Sequence, residues 1–239
     1  FTATHLNQGG ALLVVYMDGS VSCNHGGTEM GQGLNTKMAQ VCADGLGISV
    51  DHVRITATDS QKVPNASATS ASSGADINGA AIMNATAQMC ERLKPVAARM
   101  LGCAEGDVTF ANNEVHGGGK SVPWAKLTHQ AYMERVGLSV TGFYMTPEIK
   151  YDFATLNGRA FYYYCYGAAV SEVEIDTRTG EWWLKAVDIV HDVGRSINPA
   201  IDKGQIEGAY VQGMGWLTME ECIWDKKGKL LTHGPSTYK

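Results

Sequence analysis

The sequence has no block of basic residues; its formal net charge is −5 and its pI is about 5.8. Nucleic acid and anionic membrane surfaces are bound through clustered lysine and arginine, so neither is an expected partner. No run of about 18 apolar residues occurs, so no membrane-spanning helix is expected. Cysteine pairs spaced Cys-x-x-Cys are also lacking: Cys23, Cys42, Cys90, Cys103, Cys165 and Cys222 are scattered. Most sit in apolar or helical surroundings, where a buried free thiol is the ordinary outcome. We therefore expect a reducing compartment, the cytoplasm, and no metal or iron–sulfur site held by this chain. An initial methionine, a signal peptide and a closing helix after Pro235-Ser236-Thr237-Tyr238-Lys239 are missing, which reads as a fragment or processed piece of something larger. Gly119-Lys120-Ser121 lacks the earlier glycine of a nucleotide-binding loop, Glu114 standing there instead, and reads as a plain turn.

What is present is apolar enough to fold. Hydrophobic residues make up 44% of 239 positions, which supplies a sizeable core and argues against disorder. The length suits one large domain or two small ones.

Four glycines fall within eight residues in His25-Gly26-Gly27-Thr28-Glu29-Met30-Gly31-Gln32-Gly33-Leu34-Asn35-Thr36. Glycine loses the most backbone freedom on folding, so such a cluster needs a reason. Positive φ in a tight turn is one; backbone pressed close to a ligand is another. The stretch opens a helix-patterned run, and a helix start aims N–H groups at whatever precedes it, which favours an anion. Gln32 adds an amide that both donates and accepts. A strand-to-helix turn and an anionic ligand site both stay open at this point.

Around this stretch, strands and helices mix. A strand over 11–17, an Asp18-Gly19 hairpin turn and a strand over 21–24 lead into the glycines. A helix over 32–46 carries Leu34, Met38, Val41 and Cys42 on one face and ends at Gly45 and Gly47. A strand follows over 53–57. Residues 64–76 contain nothing larger than asparagine and include four serines. They read either as a flexible linker or as a loop that admits a bulky ligand. A long helix starts near Asp76, a candidate N-cap, and runs to 101 with a break at Pro95.

Further on, a hairpin is expected around Asn112-Asn113, a helix from Ser121 or Pro123 to 136, and a strand over 139–143. An apolar strand over 161–175 carries the aromatic cluster Phe161, Tyr162, Tyr163, Tyr164 and Tyr166, read as sheet packing. It turns at Thr177-Arg178-Thr179-Gly180 and returns over 182–190. Asn198-Pro199 starts a last helix in which Gly204 and Gly208 share a face, as do Gln205 and Gln212. Glycine inside a helix costs about 1 kcal/mol relative to alanine, so another backbone or a ligand is expected against that face. The sum is an α+β chain, mixed sheets with helices packed on them, in two modules covering 1–136 and 137–239.

Gly26-Gly27-Thr28-Glu29-Met30-Gly31-Gln32-Gly33 resembles a signature of the xanthine dehydrogenase and aldehyde oxidase family of molybdenum hydroxylases. The likeness continues through Val63-Pro64-Asn65 with the serine loop, Asp76-Ile77-Asn78-Gly79, Gly167-Ala168-Ala169-Val170-Ser171-Glu172-Val173-Glu174-Ile175-Asp176 and Asp192-Val193-Gly194. It extends to Asn198-Pro199-Ala200-Ile201-Asp202-Lys203-Gly204-Gln205-Ile206-Glu207-Gly208-Ala209 and Gly234-Pro235-Ser236-Thr237-Tyr238-Lys239. It spans nearly the whole chain and is closest to the xanthine dehydrogenase branch in its bacterial form.

The resemblance implies part of the second of two molybdenum-cofactor domains. By position, Gln32 is similar to a glutamine that hydrogen-bonds molybdopterin near its metal end, with Met30, Gly31 and Gly33 around it. Ala71 matches an alanine whose backbone lies beside the molybdenum. Thr69 and Ser72 match pterin or phosphate contacts, and Gln205 matches a glutamine that reaches the pterin. Two further hydroxyl contacts of the family fall on Gly74 and Ala75, which leaves only their backbone. Phe1 matches one of two phenylalanines that sandwich the aromatic substrate, and Thr2 a substrate contact beside it. The chemistry suits these residues: helix starts and bare backbone favour a phosphate, amides favour the pterin edge, and Phe1 offers a face to a planar ring.

No catalytic acid or base is expected within this chain. The family's base is a glutamate in a Gly-Glu-Pro-Pro motif that does not occur here, and Glu29, Glu220 and Glu221 read as structural or solvated. The resemblance implies an enzyme that hydroxylates a purine, hypoxanthine or xanthine, with water-derived oxygen. Electrons would pass through 2Fe-2S centres and FAD to NAD. Those centres and the remaining molybdenum-domain segments would lie in partner domains or subunits of an oligomer. The implied cofactor is molybdenum-molybdopterin, plain or in its cytosine dinucleotide form. An aldehyde oxidase or other molybdenum hydroxylase is the rival reading among enzymes. A cofactor-binding fragment with no activity of its own is the rival of another class.

Overall fold

The computed structural model describes residues 1–63 and 65–238, so Pro64 of the Val63-Pro64-Asn65 motif and the terminal Lys239 lie outside the described residues. The chain divides into two compact units, Phe1–Asp192 and Val193–Lys239.

The first unit begins with the expected hairpin, β1 (Gln8–Val15) and β2 (Val21–His25). The Asp18 carboxylate accepts from the Ser20 N–H and hydroxyl at 2.9 and 2.7 Å, which fixes the turn. Helix α1 (Leu34–Leu46) follows, then β3 (Val53–Ile55), parallel to β2, and the 28-residue helix α2 (Gly74–Leu101). A meander of β4 (Thr109–Ala111), β5 (Glu114–Gly117) and β6 (Lys120–Pro123) runs straight into α3 (Trp124–Met133). Strand β7 (Ser139–Met145) then pairs antiparallel with β1 and completes a sheet of order β3-β2-β1-β7. The module boundary expected between 136 and 137 therefore falls inside the first unit.

The core lies between this sheet and α1 and α2. Leu13, Val15, Val21 and Cys23 face Leu34, Met38, Cys42 and Leu46 of α1 and Ile82, Ala85, Met89 and Leu93 of α2, all buried. The α1 set recurs every four residues, the period of one helix face. Gly142 of β7 lets the strand touch α2, since a Cβ there would lie 2.1 Å from the Ala81 carbonyl oxygen. Gly47 caps α1 at φ +67.

Three details differ from expectation. Helix α2 passes through Pro95 without ending. Leu93, Val96, Ala97 and Leu101 are buried around it, and their packing offsets the missing backbone bond. Ser73 rather than Asp76 stands at the N-cap, so Asp76 lies within the first turn. Of the two expected starts of the next helix, Ser121 lies in β6, whose register with β5 satisfies its backbone, and Pro123 is the N-cap of α3.

A small hairpin of β8 (Lys150–Asp152) and β9 (Asn157–Arg159) precedes a longer one of β10 (Gly167–Ile175) and β11 (Trp182–His191). The aromatic cluster before β10 does not pack in a sheet. Phe161, Tyr162, Tyr163, Tyr164 and Tyr166 lie outside any strand and are all exposed. Four of the five end in a hydroxyl that favours water, and the run lacks the polar–apolar alternation of a half-buried strand. Cys23, Cys42 and Cys90 are buried free thiols, with burial pushing Cys90 up to about 11, whereas Cys165 and Cys222 are exposed.

The second unit is built on α4 (Pro199–Thr218), capped as expected by the Asn198 side chain, which accepts from the Ile201 N–H at 3.2 Å. Its apolar residues are distributed all round, and Val211, Trp216 and Leu217 are exposed. No helix of the described residues is long and apolar enough to cross a membrane.

Candidate functional site

Strand β2 delivers His25, only 3% exposed, to the base of the glycine loop. His25 Nδ1 accepts from the Gly27 N–H at 3.1 Å, so the ring proton sits on Nε2, which faces Asn35 Oδ1 at 3.1 Å. Burial lowers the His25 pKa, against the Asn35 hydrogen bond and the Glu29 charge, and so favours the neutral ring. The Thr58 hydroxyl donates to the Gly27 carbonyl at 2.6 Å from the other side.

The four glycines divide by cause. A Cβ at Gly26 would lie 2.7 Å from Ala66 Cβ, and one at Gly27 would lie 2.5 Å from Leu34 Cδ2 and 2.9 Å from Asn78 Nδ2. Close packing requires these two. Gly31 and Gly33 have φ of +98 and +74, a turn geometry that L side chains avoid. A Cβ on Gly31 would meet no heavy atom within 4 Å, so its backbone face is open.

The anion at the start of α1 is the chain's own Glu29. One carboxylate oxygen accepts from the Gly31 and Gly33 N–H groups at 2.9 and 3.0 Å, and the other from Asn35 at 2.8 Å. Slight burial works against ionisation, but the N–H groups of Asn35, Gly33, Gly31 and Met30 outweigh it and hold the carboxyl below its ordinary range. A phosphate expected at this helix start would meet that carboxylate. Gln32 folds onto the same loop: Oε1 accepts from the Met30 N–H at 2.6 Å and Nε2 donates to the Thr28 carbonyl at 2.9 Å. One N–H and one lone pair of the amide remain for a ligand.

The serine loop lies against this loop. The Thr28 N–H donates to Thr69 Oγ1 at 2.9 Å, a bond spanning 41 residues of sequence. Thr69 also lines a shallow, open cleft with Gln8, Gly26, Ser67, Ala68, Ser73, Gly74, Ile77 and Asn78. Ala71 and Ser72 are exposed on the same loop at φ +56 and +54. Two consecutive left-handed non-glycine residues cost about 1–3 kcal/mol each, a strain that concentrates at functional sites. Over 65–76 the linker reading gives way to a built loop tied to its neighbour.

Met30, Gly31, Gln32 and Gly33 thus share one loop, and Thr69, Ala71 and Ser72 share the loop bound to it. Phe1 is half-buried, its carbonyl accepting from Asn7 Nδ2 at 2.8 Å, and Thr2 is exposed. Gln205 lies on α4 in the second unit and is exposed. Sequence reasoning missed Gln8, which no local signal marks. It also missed the Asp76–Tyr163 pair, in which the Tyr163 hydroxyl donates to Asp76 Oδ2 at 2.6 Å. The other Asp76 oxygen is buried without a hydrogen bond among the described residues, and burial raises the carboxyl pKa. The Asp76-Ile77-Asn78-Gly79 motif was the available signal, since Ile77 and Asn78 line the cleft beside it.

A flat ligand with many hydrogen-bonding edges fits this donor set: hydroxyls, amides and open backbone, with no arginine or lysine among the described residues that line the cleft. Among the described residues no cluster of three His, Cys, Asp or Glu side chains gathers to ligate a metal.

Comparison with known proteins agrees with this chemistry. The molybdopterin cofactor-binding domain family matches residues 1–239. The chain is 49% identical over 239 residues to the xanthine dehydrogenase/oxidase of Mus musculus, covering all of this chain and 16% of that protein. It is 46% identical over 246 residues to the xanthine dehydrogenase of Oryza sativa subsp. japonica, covering all of this chain and 17% of that protein. The quinoline 2-oxidoreductase structure from Pseudomonas putida 86 superposes with a TM-score of 0.80 at 28% identity, over 97% of this chain and 29% of that one. The chain spans about one-sixth of the length of the curated relatives it matches. From the glycine and serine loops to the full-length match, the chain belongs to the molybdopterin cofactor-binding domain family of the xanthine dehydrogenase-type molybdenum hydroxylases.

Proposed function

We propose that this chain forms one wall of the molybdopterin pocket in a xanthine dehydrogenase that hydroxylates hypoxanthine and xanthine and passes electrons through 2Fe-2S centres and FAD to NAD. The observation that carries the reading is the Thr28–Thr69 hydrogen bond, which joins the glycine loop to a strained serine loop beside a shared polar cleft. When bound, the molybdenum and its dithiolene supply the redox chemistry. The residues of this chain bind and orient. Gln32 offers its remaining N–H and lone pair to the pterin edge, with Met30, Gly31 and Gly33 shaping the backbone beneath it. The Thr69 and Ser72 hydroxyls serve the pterin or its phosphate, Ala71 presents backbone beside the metal, and Gln205 serves the pterin from α4. Phe1 and Thr2 contact the aromatic substrate. The general base comes from elsewhere in the enzyme.

The all-round apolar surface of α4 supports a chain that works inside a larger assembly, because such a helix is normally buried. Partner domains or subunits would supply the rest of the pocket and the electron chain, in a cytoplasmic oligomer. The isolated chain should accordingly hold little molybdenum and no activity; stoichiometric tight molybdenum in the lone chain would contradict this. The deciding assay compares hypoxanthine with a simple aldehyde on the full-length enzyme. Purine turnover is expected; its absence would refute the substrate assignment.

A further inference from the structure

We infer that Glu29 is a positioning residue for Gln32: its carboxylate grips the backbone on both sides of Gln32 and fixes the loop that presents the amide to the cofactor. This rests on the reading of Gln32 proposed above. The Gly31 and Gly33 N–H groups flank Gln32 and converge on one Glu29 oxygen at 2.9 and 3.0 Å. The second oxygen takes the Asn35 N–H at 2.8 Å, and Asn35 in turn faces the buried His25. A helix cap alone would need only the Asn35 bond. The other two bonds hold loop residues that precede the helix, and Gly31 and Gly33 have no side chain to brace them.

Gln32 closes the same network from within. Its bonds to the Met30 N–H and the Thr28 carbonyl leave the amide plane no freedom once the backbone is fixed. The charge also matters. A neutral amide at position 29 keeps one oxygen but turns an N–H donor toward N–H donors. With one acceptor fewer for the three N–H groups, the loop relaxes and Gln32 loses its orientation.

The test uses the full-length enzyme with Glu29→Gln, Glu29→Asp, Gln32→Ala and the Glu29→Gln/Gln32→Ala double variant. Molybdenum per polypeptide is measured by mass spectrometry, and kcat and KM for the purine by steady-state kinetics. Glu29→Gln is expected to lose about 10- to 100-fold in kcat/KM, the range for residues that orient a ligand group, together with part of the molybdenum. Glu29→Asp keeps the charge and recovers part of both. The double variant is expected to be no worse than Gln32→Ala, since Glu29 acts through Gln32. Wild-type behaviour of Glu29→Gln, or losses that add in full in the double variant, would overturn the inference and leave Glu29 a purely structural residue. If Glu29→Gln does not accumulate, the same cycle with Glu29→Asp decides it. Wild-type molybdenum and activity in Gln32→Ala is a different result: it removes the role of Gln32 itself, and the inference with it.

Discussion

A methyl group on Gly26 tests how the two loops are held together. Its Cβ would lie 2.7 Å from Ala66 Cβ and 3.1 Å from Ala66 Cα, and a backbone atom cannot swing aside as a flexible side chain does. Gly26 has no positive φ, so alanine adds steric conflict without backbone strain. Overpacking of this kind costs about 1–3 kcal/mol. If the segment around Ala66 yields, that energy appears as local opening of the serine loop, with amide exchange over 65–74 about 5- to 150-fold faster. Hydrogen exchange by mass spectrometry on the full-length enzyme reads this directly. Gly31→Ala is the control: its Cβ meets nothing within 4 Å, so it strains the backbone at φ +98 but does not push on Ala66. Exchange over 65–74 that stays at the wild-type rate in Gly26→Ala, or rises equally in Gly31→Ala, would refute this account of the contact.

Gly142→Ala should destabilise the first unit more than Gly26→Ala, because its Cβ would lie 2.1 Å from the Ala81 carbonyl and 2.8 Å from the Ala85 N–H nitrogen within α2. Faster exchange across both α2 and β7 is the expected signature. His25 predicts a pH dependence. Its folded pKa lies below the ordinary 6.5, so unfolding takes up a proton in acid. Its stabilising contribution is therefore complete above about pH 6.5 and is lost as pH falls toward the folded value, at no more than about 1.4 kcal/mol per pH unit. Exchange of the glycine loop between pH 7.5 and 5.5, corrected for intrinsic rate, should accelerate in the wild type, and His25→Gln should remove that slope.

Local chemistry made much of the scaffold legible. Asp18-Gly19 marks its turn because few residues tolerate that backbone, and Leu34, Met38 and Cys42 mark the buried face of α1 at helical spacing. Asn198-Pro199 marks the start of α4 for the same local reason. What the sequence concealed depends on long-range contact. Pro95 signals a break, yet packing on both sides of it keeps α2 whole. The tyrosines of 161–166 have strand propensity, but propensity does not show whether a sheet is there to receive them. Of the site, the glycine and serine loops could be picked out by composition, and the family resemblance supplied roles for Gln32, Thr69 and Ala71. That Glu29 fills the start of α1, and that Thr28 reaches Thr69, is set by how the two loops fold, and neither bond leaves a pattern in the sequence.

The central claim, that the glycine loop presents Gln32 to a molybdopterin, is tested most directly by the molybdenum content of the full-length Gln32→Ala enzyme, measured beside purine turnover. The claim predicts that molybdenum per polypeptide or activity falls while exchange in the β1, β2 and α2 core stays at wild-type rates. Wild-type molybdenum and wild-type turnover together would contradict it.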